Sequence, residues 1–196
     1  MITAKKAPHL RRILMLLLVT AGLANAAETV TLGIGAVGSN EYFTVSNPGI
    51  PARDEKRMFN AVQIKVGYGD IKAYAVEMDI GYGRYDKNIF SAEDTDYIYA
   101  DIALLKAFDF GFGAYPFLKA GFGTGELEIR RSLVHSISAG DFFAGGGVYV
   151  PLAWGLDVEA SVVYRDKSWE DIDMIGAQTE TASYIVEPYI GLNYRF

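Results

Sequence analysis

The stretch from Thr181 to Phe196, TASYIVEPYIGLNYRF, decides the fold that we predict for this chain. Counted back from the end, every second residue is apolar: Phe196, Tyr194, Leu192, Ile190, Pro188, Val186, Tyr184 and Ala182. The intervening residues are mixed and largely polar: Arg195, Asn193, Gly191, Tyr189, Glu187, Ile185, Ser183 and Thr181. Because a strand projects successive side chains to opposite faces, this period of two predicts a β-strand with one apolar face.

Composition narrows the class of protein. The 196 residues include 21 Gly, 13 Tyr and 11 Phe, and the sequence contains no cysteine. Without cysteine there is neither a disulfide nor a thiolate metal site. No apolar run reaches the roughly 20 residues that a transmembrane helix needs. We therefore predict that the apolar face of this strand contacts lipid, as the outer face of a membrane-spanning β-barrel does.

The amino-terminal segment has the layout of a secretory signal. A basic zone with Lys5, Lys6, Arg11 and Arg12 precedes an apolar zone and the small-residue triplet Ala24-Asn25-Ala26. This layout predicts a signal peptide at residues 1–26 and a barrel domain at residues 27–196. The alternative, a membrane-spanning helix, is disfavoured because the apolar zone is too short. Removing the signal leaves 14 basic against 24 acidic residues, and such an acidic protein is not expected to bind nucleic acid.

Seven further segments repeat the alternation of the closing strand. The connections between them alternate long, short, long, short, long, short, long. In an up-and-down barrel with both termini in the periplasm, the long connections face outside and the short ones are periplasmic turns. We therefore predict an all-β, eight-stranded antiparallel up-and-down transmembrane β-barrel with four extracellular loops. The predicted strands cover residues 29–38, 59–69, 73–85, 96–108, 112–129, 141–151, 156–165 and 181–196.

Charged side chains indicate which face of each strand points inward. A Lys or Arg that faces lipid at the midplane costs roughly 2–4 kcal/mol, so the charged faces are expected to line the lumen. Because unpaired buried charges are costly, we expect Lys65, Lys119 and Arg195 to be bridged by carboxylates. Eight strands enclose room for side chains or one small ligand, which argues against a wide pore. The predicted luminal polar network comprises Gln63, Lys65, Glu77, Asp79, Asp101, Lys119, Asp157, Glu159, Glu187, Asn193 and Arg195.

Motifs for cofactors and metals are weak. The segment Gly33–Gly38 spells G-x-G-x-x-G, but a dinucleotide site needs a strand before this motif and a helix that opens at it. Here a signal sequence precedes the motif, and a polar loop with Asn47-Pro48-Gly49 follows it. Acidic clusters in the second and fourth long connections lack the pattern of an EF-hand loop. We expect no cofactor, no metal site and no catalytic residue.

Three segments carry a family resemblance: Ala24-Asn25-Ala26, the stretch YPFLKAGFG at residues 115–123, and the terminal YIGLNYRF at residues 189–196. In these the chain resembles the OmpA-like outer-membrane β-barrel superfamily, of the single-domain type, over residues 27–196. The resemblance implies that Phe196, Tyr194 and Leu192 form the assembly signal read by the barrel-insertion machinery. It also implies a bacterial outer-membrane location. The peptidoglycan-binding domain of full-length OmpA proteins is not expected.

The sequence leaves three functions open. The first is a non-enzymatic integral membrane protein with a structural or surface-interaction role, monomeric and in contact with lipid and lipopolysaccharide. The second is a narrow conduit or binding barrel for small hydrophobic molecules, which resembles the OmpW type. The third is a lipid-modifying enzyme that uses His135, since the lipid A 3-O-deacylases pair a histidine with a serine near a strand end. However, Ser138 is expected on the opposite strand face from His135.

Overall fold

Nine β-strands run through the described part of the chain. The computed structural model describes residues 29–47, 49–87, 94–129, 135–174 and 177–196, so the predicted signal peptide lies outside the described residues. No helix in these ranges is long and apolar enough to cross a bilayer. The strands are β1 (Thr29–Asn47), β2 (Ile50–Asp70), β3 (Tyr74–Tyr85), β4 (Thr95–Ala107), β5 (Tyr115–Glu128), β6 (Ser136–Pro151), β7 (Leu156–Trp169), β8 (Ile172–Met174) and β9 (Ala177–Arg195).

Eight of these strands close into one antiparallel cylinder. β1 to β7 pair in chain order, β7 pairs with β9, and β9 returns to β1. The closing ladder sets Leu32 opposite Tyr194 and Ile34 opposite Leu192. β8 is a three-residue strand that pairs with the beginning of β9. The predicted eight-stranded up-and-down barrel is confirmed.

Apolar side chains cover the outside of the cylinder. Ile34, Ile64 and Ile80 are neighbours across β1, β2 and β3, and they are 60%, 60% and 56% exposed. Lys65 follows Ile64 on β2 and pairs with Asp79 on β3. Both side chains face inward and are 1% exposed. This arrangement is the reverse of a soluble protein, and it follows from the alternation of side chains along each strand.

The first predicted connection is wrong. The sequence predicts a polar loop between residues 39 and 58, but the structure places this segment in β1 and β2, with only residues 48 and 49 between the strands. The ladder continues from Thr29↔Gly69 to Val45↔Arg53. The strand pattern is hidden because both faces carry polar side chains, such as Thr44, which donates to Asp54 at 3.0 Å. A strand segment that lies outside the lipid bilayer does not need an apolar face.

Three other strands also extend further than predicted at the same end of the barrel, and one of them, β9, begins at Ala177 instead of Thr181. β6 begins at Ser136 instead of Asp141, and β7 ends at Trp169 instead of Arg165. We call this end of the barrel the loop end. The opposite end, where residues 71–73, 108–114 and 152–155 make the short connections, is the turn end. At the loop end β9, β1 and β2 remain paired as far as Val45, and we call these extended strands the projecting wall.

Candidate functional site in the barrel lumen

The barrel interior contains the residues of the predicted luminal network. Ten of the eleven are buried: Gln63, Lys65, Glu77, Asp79, Asp101, Lys119, Asp157, Glu159, Glu187 and Asn193. The eleventh, Arg195, is partly exposed at the turn end, where its Nε lies 2.7 Å from Asp157 Oδ2. The fold therefore brings these residues together in the barrel interior, although they come from six strands.

Two lysines organise the half of the network nearer the turn end. Lys65 Nζ donates to Glu159 Oε1 at 2.8 Å and lies 3.4 Å from Glu77 Oε1. Lys119 Nζ donates to the same Glu77 oxygen at 2.9 Å. Glu159 also accepts from the Asn193 amide at 3.1 Å. These contacts pair both Lys65 and Lys119 with carboxylates.

Arg165 organises the half nearer the loop end. Its guanidinium forms a two-point contact with Asp101, through Nη1 to Oδ1 at 2.9 Å and Nη2 to Oδ2 at 2.6 Å. Nη1 also donates to Asp141 at 2.6 Å, and Nε donates to Glu187 at 3.2 Å. One cation thus holds three carboxylates from β4, β6 and β9. Planar guanidinium geometry suits this role, since it presents several donors in fixed directions.

A third charge pair lies closer to the loop end. Lys167 Nζ donates to Glu41 at 2.9 Å, and the Tyr85 hydroxyl donates to the same carboxylate at 2.6 Å. The Ser183 hydroxyl donates to the other Glu41 oxygen at 2.5 Å and accepts from the Trp169 indole at 2.7 Å. All of these side chains are buried.

Four of these charged residues are not among the eleven of the predicted luminal network. Glu41 and Lys167 lie beyond the predicted ends of their strands, so no inward face was assigned to them. Asp141 was placed at the start of a strand whose faces are both apolar or small. Arg165 is the last residue of a predicted strand. Its position in the alternation places it on the inward face, and this was the signal that could have identified it. Longer strand boundaries would have included Glu41 and Lys167, whereas Asp141 and Arg165 already lay within predicted strands.

Apolar layers close the lumen on both sides of the ionic groups. At the loop end, an outer aromatic layer comprises Phe43, Phe59, Tyr85, Tyr97 and Trp169, whose ring centroids lie 4.8 to 6.0 Å apart in contacting pairs. At the turn end, an inner apolar layer comprises Ile71, Ala75, Leu105, Ala107, Phe117 and Tyr149. Between the two lies the ionic layer formed by the Lys65, Lys119 and Arg165 contacts. The ionic layer therefore lies between two apolar layers.

The described residues enclose two small cavities in the lumen. One cavity beside Asp79 and Arg165 and a second beside Ile71 and Arg195 each measure about 10 Å³. That is room for about one water molecule. In the part of the chain that the structure describes, no group of three or more His, Asp or Glu residues is placed to hold a metal ion.

The alternative catalytic residue lies outside the lumen. His135 is exposed at the loop end, just before β6, and lines an open groove of about 470 Å³ with Ser136 and Glu128. Ser138 lies exposed on the outer face, and its backbone amide donates to Glu170 at 3.3 Å. Ile137, between the two serines, is buried inside. The strand thus turns Ser138 to the barrel exterior, away from the lumen.

The predicted assembly residues lie on the exterior at the turn end. Leu192, Tyr194 and Phe196 are 51%, 41% and 66% exposed. The Tyr194 and Phe196 rings meet edge to face at 4.7 Å. The Phe196 amide donates to the Val30 carbonyl at 3.0 Å, which fastens the end of the chain to the first strand.

An ion pair links two of the short connections. Lys72 Nζ donates to Asp109 Oδ2 at 2.7 Å, and Asp109 Oδ1 accepts from the Gly111 amide at 3.0 Å. The hydrogen bond from Lys72 lowers the pKa of Asp109, and the amide of Gly111 lowers it further. The same hydrogen bond raises the pKa of Lys72. Both groups lie in water, beyond the membrane-spanning strands.

Comparison with known proteins identifies the fold. No family model and no curated protein matches the sequence. The crystal structure of outer membrane protein OprG from Pseudomonas aeruginosa matches with a TM-score of 0.57 and 14% identity, over 87% of this chain and 96% of that chain. Neisserial surface protein A matches with a TM-score of 0.49 and 15% identity, over 87% and 98% of the two chains.

The chain has the fold of an eight-stranded outer-membrane β-barrel. At 14% identity, the likeness to OprG concerns the fold alone. It agrees with the resemblance to the OmpA-like superfamily that the sequence carries. The role of this barrel therefore depends on its own residues and not on its fold.

Proposed function

We propose that this chain is an integral protein of the bacterial outer membrane, exported through the periplasm, and that its barrel is a non-enzymatic anchor for the projecting wall. The observation that carries this proposal is an apolar exterior around a lumen that is closed by two apolar layers. A sealed barrel transports nothing through its interior. Its remaining function is to hold the outer aromatic layer, the loop end and the projecting wall in the membrane surface.

The projecting wall has the character of a water-exposed contact surface. Its β2 segment contains the charged run Arg53, Asp54, Glu55, Lys56 and Arg57. Glu55 is paired with both Arg53 and Arg57. These groups lie beyond the apolar belt, where lipopolysaccharide headgroups or an extracellular partner are the available contacts. We propose that the loop end faces outside and the turn end faces the periplasm.

The absence of cysteine allows a direct test of this topology. Three exposed alanines provide matched sites: Ala52 on the projecting wall, Ala73 in a short connection and Ala100 on the apolar belt. Each is replaced by cysteine, and intact cells are treated with a membrane-impermeant maleimide. We expect Ala52→Cys to react, Ala73→Cys to react only after the outer membrane is permeabilised, and Ala100→Cys to stay unreactive in both. Labelling of Ala73→Cys in intact cells would reverse the proposed orientation.

A second experiment separates the anchor from the OmpW-like conduit. The purified barrel is reconstituted in planar bilayers and its conductance is measured. We expect no ion current, because the luminal cavities hold about one water each. A steady, selective current would favour the conduit and contradict the sealed anchor. Lipid A that changes on incubation with the purified barrel would instead favour an enzyme that uses His135.

A further inference from the structure

The ionic layer contains more negative than positive side chains. Three cations, Lys65, Lys119 and Arg165, lie between the two apolar layers. Six carboxylates share the same space, and none is more than 8% exposed: Glu77, Asp79, Asp101, Asp141, Glu159 and Glu187. The Lys167–Glu41 and Arg195–Asp157 pairs at the two ends balance themselves. Among the described residues, three formal negative charges in the ionic layer therefore lack a side-chain counterion.

Three of the carboxylates lie side by side around the wall. Asp79 on β3 is directly opposite Asp101 on β4, and Gly123 on β5 is the residue between Asp101 and Asp141. A Cβ atom at Gly123 would lie 2.2 Å from Asp101 Oδ1 and 2.6 Å from Asp141 Oδ1. Because Gly123 has no side chain, the carboxylates of Asp101 and Asp141 can occupy the space above its backbone. Like charges that oppose each other across a sheet are destabilising, so this row needs a positive charge.

Arg165 supplies that charge to Asp101 and Asp141 but not to Asp79. The nearest cation to Asp79 is Lys119, whose Nζ lies 3.9 Å from Oδ2 and donates instead to Glu77. Asp79 Oδ1 is buried and has no hydrogen-bond partner among the described residues. Asp79 lines the luminal cavity of about 10 Å³, together with Gln63 and Tyr189. Asp79 is thus a buried acid with an unused oxygen and a space for one small ligand.

The surroundings favour a proton over a metal ion as this ligand. No set of three carboxylates converges closely enough to hold a metal among the residues that the structure describes. A buried carboxylate that lacks a partner becomes neutral, since the alternative is an uncompensated charge away from water. We propose that Asp79 binds a proton in the folded barrel at neutral pH and offers its O–H group to the adjacent cavity. The proton offsets part of the excess negative charge of the ionic layer.

Charged groups from every neighbouring strand act on this site. The cations Lys65, Lys119 and Arg165 favour the ionised form of Asp79, whereas the surrounding carboxylates favour the protonated form. The carboxylates outnumber the cations and include Asp101 in the facing position on β4. On β1 the cavity is lined by Val37, which carries no charge. The balance of charge and the apolar seals therefore both act to retain the proton.

Linkage between proton binding and folding provides the test. If the folded barrel holds a proton that the unfolded chain has released to water, stability falls as the pH rises above the ordinary aspartate range. The full chain is refolded in lipid vesicles, and the urea midpoint is followed by fluorescence from weakly acidic to weakly alkaline pH. We expect the midpoint to fall with rising pH in the native barrel. Asp79→Asn, a neutral mimic of the protonated acid, is expected to keep its midpoint and to lose this pH dependence.

Asp157→Asn is the matched control, because Asp157 is a luminal carboxylate with its own cation, Arg195. It is expected to lower the midpoint and retain the native pH dependence. The proposal is overturned if Asp79→Asn instead behaves like Asp157→Asn. It is also overturned if sodium chloride, but not choline chloride at equal ionic strength, stabilises the native barrel, since the site would then bind a metal cation.

Infrared spectra give an independent readout of the Asp79 proton. A carboxylic acid band that is present in the native barrel and lost in Asp79→Asn supports the proposal, and absence of the band from the native barrel contradicts it.

Discussion

Among the described residues, Arg165 pairs with more luminal carboxylates than any other cation does. It contacts Asp101, Asp141 and Glu187 and is 4% exposed. Removing one partner of a buried ion pair costs about 3–5 kcal/mol, because the remaining charge loses its compensation. We expect Arg165→Ala to lower the free energy of unfolding by about that amount. Urea titration in lipid vesicles measures the difference.

Arg84 provides the control for this substitution. It also contacts two carboxylates, with Nε 2.9 Å from Asp96 and Nη1 3.4 Å from Asp94, but its side chain is 58% exposed. Exposed pairs are screened by water, so Arg84→Ala is expected to leave the urea midpoint nearly unchanged. If Arg84→Ala and Arg165→Ala lowered the free energy of unfolding equally, the buried contacts of Arg165 would stabilise the barrel no more than exposed contacts do.

Gly81 is required by a close approach of an aromatic ring. It faces inward opposite Tyr99, and a Cβ atom there would lie 2.0 Å from Tyr99 Cζ. Overpacking of a filled interior costs about 1–3 kcal/mol, so Gly81→Ala should destabilise the barrel by that amount. Gly140→Ala is the control, since a Cβ at this strand position meets nothing within 4 Å. A comparable loss for Gly140→Ala would mean that the alanine acts through the backbone and not through the ring.

At the scale of single elements, the sequence predicts strands best where they meet lipid. The alternation at Val62, Ile64 and Val66 marks β2 because lipid demands an apolar outer face, and no such demand exists on the projecting wall. Arg53 and Asp54 therefore read as a loop although they pair with β1. The same limit hid Glu41 and Lys167, which lie past the lipid-facing parts of β1 and β7. Polarity alone does not separate a strand in water from a loop.

The two linked turns are an element whose behaviour depends on pH. The hydrogen bond from Lys72 depresses the pKa of Asp109. The contact is therefore present above the ordinary aspartate range and is lost as pH falls through the lowered pKa. We expect the Asp109 carboxyl to titrate at a lower pH than an aspartate in a peptide, as followed by NMR. In Lys72→Ala the midpoint should move back upward. A midpoint that is unchanged in Lys72→Ala would mean that Gly111 alone holds the carboxylate.

At the scale of the whole molecule, closure of the cylinder creates contacts that no single strand contains. Arg165 collects carboxylates from three other strands, and their meeting depends on the stagger of all eight strands around the axis. Strand parity predicts that these side chains face inward, but it does not predict which of them touch. The outer aromatic layer has the same origin, since Phe59, Tyr97 and Trp169 come from β2, β4 and β7. The sequence thus predicts an apolar exterior and a polar interior. It does not predict the two apolar layers in the lumen or which luminal side chains form ion pairs.

The inverse polarity itself predicts how the barrel responds to a charge at different depths. Ile64 lies within the row of apolar residues between Ile34 and Ile80, whereas Met58 is 49% exposed near the loop end. A lysine that faces lipid costs about 2–4 kcal/mol at the midplane and about 0–1 kcal/mol near the interface. Ile64→Lys should therefore reduce the free energy of folding into lipid vesicles by about 2–4 kcal/mol, and Met58→Lys by less than about 1 kcal/mol. If the two variants unfold at the same urea concentration, the belt around Ile64 does not lie in hydrocarbon.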